Sequence, residues 1–164
     1  MKRANTQDMN MMLNGMLTAG DNYNVKCFVQ VVPTCPIYYI SMYFGALGAM
    51  IGGLFQDEFG SARIHNAYLG LTNNVMNFAV LDDWKVDQLA MTKTFNLANI
   101  TKVRCNDSRR ALTAMVWFGK TKIKFTLRKK VRKTDLNQQA ECATIIKNYF
   151  DQLAAMLKAQ KKAA

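Results

Sequence analysis

From Lys122 to Leu127 polar and apolar residues alternate, after a largely apolar run at 111–118 and a break at Gly119-Lys120. The two runs predict two strands joined by a tight turn. Ile123, Phe125 and Leu127 take the inward face, and Lys122, Lys124, Thr126 and Arg128 the outward one. Trp117 is assigned to the core side with Phe125. The same alternation marks 23–32, where Tyr23, Val25, Cys27, Val29 and Val31 share one face. Asn24, Lys26 and Gln30 share the other, with Phe28 and Val32 as exceptions. Pro33 and Pro36 end that strand. Asn73-Asn74 stands between apolar runs at 64–72 and 75–81, and asparagine tolerates the positive φ of a tight hairpin. Asp82-Asp83 makes the next turn, 84–91 is ambiguous, and further strands are predicted near 93–96 and 100–105, with a turn at Ala98-Asn99.

The pattern changes period at both ends. Met9, Met12, Leu13 and Met16 recur at helical spacing within 6–17, with Thr6 as the cap and Gly20-Asp21 as the break. Near the C-terminus Cys142, Ile145, Ile146, Tyr149, Phe150, Leu153, Met156 and Leu157 trace one wide stripe. They predict a long amphipathic helix capped by Thr134 or Asp135, with a frayed tail.

One stretch fits neither period. From Cys35 to Phe55 the chain carries no charge and includes Gly45, Gly48, Gly52 and Gly53. Its length approaches that of a membrane span. A span there would strand the first predicted β-strand on the wrong side of its sheet. It lacks the G-K-[ST] of a phosphate-binding loop. The preferred reading is a long apolar connection after the first strand, packed on the domain or on a second copy; a loop dipping into a bilayer is the alternative. Its interaction surface would be Tyr38, Tyr39, Met42, Phe44, Leu47, Met50, Ile51, Leu54 and Phe55.

Composition adds an asymmetry. The 164 residues carry a net charge of +11. Residues 1–103 hold seven basic and seven acidic side chains, and 104–164 hold fifteen and four. The densest run, "KTKIKFTLRKKVRK", supplies Lys120, Lys122, Lys124, Arg128, Lys129, Lys130, Arg132 and Lys133 and no acid. Such a field favours an anionic partner. Cysteines at 27, 35, 105 and 142 lack metal-site or redox spacing and read as reduced, packed thiols. His65, the single histidine, has no catalytic motif around it. No catalytic residue, metal or cofactor is expected, and the chain is read as a non-enzyme.

Three motifs in order carry a resemblance. "AYLGLTNNVMNFAVLDDW", "FNLANITKVRC" and "TKIKFTLRKKV" precede a final helix that starts near Gln138 or Gln139. The chain resembles the bacterial pleckstrin-homology-like (PH-like) domains over roughly residues 17–157. The resemblance implies an α+β, mainly β fold. A bent antiparallel barrel of about seven strands is capped by the C-terminal amphipathic helix, with a short N-terminal helix and the apolar Gly-rich insertion after the first strand. It divides a single domain, 1–164, into an N-terminal helix at 1–19, the insertion at 36–60 and the closing helix at 134–158.

The functional expectation is a cytoplasmic, non-catalytic binding or assembly module, with a protein partner or second copy engaged through 36–60. The alternative is a peripheral membrane protein whose 120–133 cluster reads anionic lipid while the 36–55 loop inserts. Nucleic acid is disfavoured, because Trp117 and Phe125 are both assigned to the core and leave no stacking surface.

Overall fold

The computed structural model describes residues 3–32, Thr34, Phe59 and 63–163. The expected insertion at 36–60, with its surface from Tyr38 to Phe55, lies outside the described residues except for Phe59. Seven antiparallel strands form one open sheet in the order β4-β3-β2-β1-β7-β6-β5. They are β1 Val25–Val32, β2 His65–Leu71, β3 Val75–Leu81, β4 Leu89–Asn96, β5 Lys102–Asp107, β6 Ala111–Phe118 and β7 Thr121–Arg128. A short helix, α1 (Thr6–Asn14), precedes them and a long one, α2 (Gln139–Ala163), follows. The expectation of an α+β, mainly β fold with this element order holds.

Alternation builds the inner face. Val25, Cys27, Val29 and Val31 of β1 and Ile123, Phe125 and Leu127 of β7 are buried together. The sheet curls enough for Phe95 of β4 to stack on Phe118 of β6, ring centroids 5.1 Å apart. Phe78 links Phe59 to Phe125 by edge-on contacts at 5.5 and 5.9 Å. Phe125 in turn meets Phe150 of α2. Helix α2 therefore closes the inner core with Cys142, Ala143, Ile146 and Phe150. The predicted stripe is narrower than expected, since Ile145 and Met156 are exposed. Its tail stays helical to Ala163 instead of fraying.

A second, smaller core lies on the outer face of β1–β3. Met9, Met12 and Leu13 of α1 pack with Tyr68, Ala79, Leu81 and Leu136. This cover explains why β2 and β3 are almost continuously buried. It also explains Phe28, which faces outward from β1 to pack edge-on against Tyr68. Tyr23 belongs to this outer core, not to the inner face with Val25.

Several boundaries differ from the sequence reading. Asn5, not Thr6, caps α1, its side chain accepting from the Asp8 N–H at 2.8 Å. Helix α1 ends at Asn14, three residues earlier than expected. The Asn73-Asn74 turn needs no positive φ. The Thr72 hydroxyl accepts the N–H groups of Asn74 and Val75 at 3.1 and 3.0 Å and shapes the turn instead. Neither Thr134 nor Asp135 caps α2, which starts at Gln139. Asp135 is engaged elsewhere, accepting the Thr6 N–H at 2.9 Å, and Leu136 is drawn into the outer core.

Gly70 in β2 is required by close approach. A Cβ there would lie 2.3 Å from Cε1 of Tyr23. The ring cannot withdraw freely, because its hydroxyl donates to the Leu13 carbonyl at 2.7 Å and accepts from Asn77 Nδ2 at 2.9 Å. Gly70→Ala is expected to destabilise the fold by about 1–3 kcal/mol through overpacking, read as a lowered urea midpoint. An unchanged midpoint would show that the Tyr23 anchor yields.

Candidate functional site: a cationic outer face and groove

Among the described residues, α1 covers the outer face of β1–β3 and no element covers that of β5, β6 and β7. Pairing places its residues in rows. Lys102, Trp117 and Lys122 lie side by side, followed by Arg104, Met115 and Lys124. Next come Asn106, Thr113 and Thr126, and Ala111 lies opposite Arg128. Buried Leu112, Ala114 and Val116 alternate with the outward residues of β6, as Ile123, Phe125 and Leu127 do on β7. Five cations, Lys102, Arg104, Lys122, Lys124 and Arg128, thus share one face. Strands β5 and β7 supply them at alternate positions because the other face of each is the core, and β6 between them presents Met115 and Trp117.

Trp117 corrects the sequence reading. It faces outward, with the Lys102 ammonium 4.9 Å from its ring centroid. Phe125 is inward as expected. The pairing decides this: Trp117 lies opposite Lys122, whereas its neighbour Val116 lies opposite buried Ile123.

The cluster from Lys120 to Lys133 is not one site. Lys120 sits in the β6–β7 turn beside Gly119, whose φ of 64° suits that turn. Arg128 lies at the other end of β7, roughly 25 Å away at about 3.3 Å per residue. At that end a groove of about 960 Å³ opens over Gln30, Val32, Ala111 and Thr126. Arg109, Arg110, Arg128, Lys129, Lys130 and Arg132 line it. Lys133 does not, and it takes a left-handed φ of 59°.

The groove's walls are joined. A tight turn at Ser108, whose N–H donates to the Ala111 carbonyl at 2.9 Å, projects Arg109 and Arg110. The Lys129 N–H donates to the Arg110 carbonyl at 3.0 Å, and the Lys129 ammonium pairs with Asp107 at 2.7 Å. Among the described residues no acid pairs with Arg109, Arg110, Arg128, Lys130 or Arg132. Lys102, Arg104, Arg109 and Arg110 stand outside the densest sequence run. The alternation of Lys102 and Arg104 with Val103 and Cys105 was the available signal for the first two.

Other chemistry is sparse. His65 opens β2, its Nδ1 3.6 Å from an Asp83 carboxylate oxygen. Among the described residues no three His, Cys, Asp or Glu gather as a metal site requires. No helix among them is long and apolar enough to cross a membrane. No family model matches the chain, and no curated protein does. Among solved structures it is similar to the hSac2 domain from the human phosphoinositide phosphatase Sac2. Identity is 12% over 99% of this chain and 86% of that one, with a TM-score of 0.43. A likeness at that level carries no argument about what this chain binds.

The described thiols are free. Burial pushes Cys27 and Cys142 up from the ordinary thiol range and holds Cys105 at about 11. At pH 8 only about a thousandth of Cys105 is thiolate, the reactive form. In a Cys35→Ser variant, a disulfide reagent such as DTNB is expected to label native protein at least tenfold more slowly than urea-unfolded protein. Equal rates would show that these thiols are accessible and ionised.

Proposed function

We propose that this chain is a non-catalytic binding module of PH-like fold that docks on an anionic membrane surface through the outer face of β5–β7. The single observation that carries the reading is the cation ladder: Lys102 and Arg104 on β5, and Lys122, Lys124 and Arg128 on β7, at outward positions of the two strands that flank β6. Asp107 is paired to Lys129, so it does not neutralise the ladder. A surface with this charge gains about 1 kcal/mol for each cation brought near an acidic leaflet. Five such residues suffice for reversible binding, and the gain is screened by salt.

Two other partners draw less support. A protein or second copy engaged through 36–60 depends on residues outside those described. Nucleic acid would use the same cations, and Trp117 is the one aromatic among the outward positions of β5, β6 and β7. Lys102 already covers its ring, so bases find no open stacking surface on this face.

Co-sedimentation with liposomes tests the reading. Binding is expected to phosphatidylcholine vesicles containing phosphatidylserine, not to phosphatidylcholine alone, and to fall as salt rises. Lys122→Gln and Lys124→Gln are each expected to weaken partitioning by about fivefold. An oligo(dT) competitor is expected to displace the protein no better than its charge warrants. Equal recovery in the supernatant with and without acidic lipid would sink the proposal.

A further inference from the structure

We infer that the groove between the Ser108 turn and the connection after β7 is a discrete site for a ligand carrying clustered phosphate groups. This rests on the preceding reading of the outer face as anion-binding, and assigns one part of it a specific occupant. Three observations separate the groove from the general charge of the face.

The first is composition. Four arginines, Arg109, Arg110, Arg128 and Arg132, converge with Lys130 on one concavity, and no carboxylate lines it among the described residues. Guanidinium groups match phosphate oxygens in paired hydrogen bonds, which lysines cannot reproduce. Strand β7 contributes lysines to the flat face at Lys122 and Lys124, yet the groove is mainly arginine. Five uncompensated cations exceed what one phosphate needs and suit two or three held close together.

The second is pre-organisation. The two arginine-bearing segments lie at the two ends of the β6–β7 hairpin, and the Lys129 N–H to Arg110 carbonyl bond carries that pairing one step beyond Ala111 and Arg128. The Asp107–Lys129 pair braces the same junction. The site's backbone is therefore fixed before a ligand arrives, which lowers the ordering cost of binding.

The third is shape and floor. About 960 Å³ accommodates a compact polar ligand by the usual size of binding pockets. The Thr126 hydroxyl, 3.3 Å from that of Thr113, and the Gln30 amide give the floor neutral hydrogen-bonding groups. A concave wall of one charge sign focuses its field more than a flat face does.

The test uses the full chain with inorganic tripolyphosphate as the soluble probe, by isothermal titration. Two double variants are compared, R109Q/R110Q in the groove and K122Q/K124Q on the face. Arg109 and Arg110 side chains make no hydrogen bond or ion pair among the described residues, so the first variant is expected to melt with the wild type. Tripolyphosphate is expected to bind one per chain, at least tenfold more weakly in R109Q/R110Q and within threefold of wild type in K122Q/K124Q. A second arm uses vesicles bearing phosphatidylinositol bisphosphate or phosphatidylserine at matched charge. Preference for the former, lost in R109Q/R110Q, makes a lipid headgroup the source of the phosphates. Equal vesicle binding with retained tripolyphosphate binding makes a soluble phosphorylated compound the source. Both outcomes uphold the groove. Equal weakening by the two double variants overturns it, as does unsaturable tripolyphosphate binding; either leaves the membrane reading standing if acidic vesicles still bind. Failure to bind any acidic vesicle removes that broader reading as well.

Discussion

One side-chain amide completes the seam between the two halves of this sheet. Strands β1 and β7 pair only from Gln30–Val32 to Lys124–Thr126. In that register Phe28 would face Arg128, but the ladder stops short. Gln139, only 2% exposed, occupies the missing rung. Its Oε1 accepts the Phe28 N–H at 2.9 Å, and its Nε2 donates to the carbonyls of Phe28 at 2.8 Å and Arg128 at 3.3 Å. One turn later the Cys142 thiol donates to the Lys26 carbonyl at 3.3 Å. The first turn of α2 thus continues, with side chains, the edge that β7 leaves open on β1. Buried main-chain groups demand such partners, and each one orphaned costs about 1–3 kcal/mol.

That substitution organises what lies on either side. Before Gln139 the chain belongs to the outer core, where Leu136 packs with α1 residues and Asp135 holds Thr6. After it the chain belongs to the inner core through Cys142, Ile146 and Phe150. The same amide fixes the Arg128 carbonyl at the end of β7, from which Lys129 and Lys130 depart toward the Ser108 turn. The cationic groove is therefore positioned by a neutral, buried group that never touches it. Charge supplies the affinity in this account, and the amide supplies the geometry.

Much of this was legible wherever one face of an element is buried and the other is wet. The alternation of β1 and β7 and the stripe of Ile146 and Phe150 follow from that condition. Legibility failed where a distant segment intervened. Helix α2 starts late because Asp135 serves α1 instead of its own helix, a contact spanning most of the chain. Strands β2 and β3 show no clean alternation because α1 covers their outer side. The unbroken apolar run from Ala114 to Phe118 gives alternation no phase for Trp117, and its register opposite Lys122 sets it outward. The basic run was visible as composition, but its division between a flat face and a groove needed the pairing of β5, β6 and β7. The Arg109-Arg110 pair reads in the sequence as a loop that could extend the basic patch, and the Lys129 contact is what joins it to that patch.

Amide hydrogen exchange at Phe28 tests the role of Gln139 most directly. The account predicts that the Phe28 N–H, though beyond the β1–β7 ladder, is protected as well as the paired amides of β1. In a Gln139→Leu variant it should lose at least tenfold more protection than Val29 does. Exchange of the Phe28 amide at the rate of open loops in the native chain, or equal protection in the variant, would contradict it.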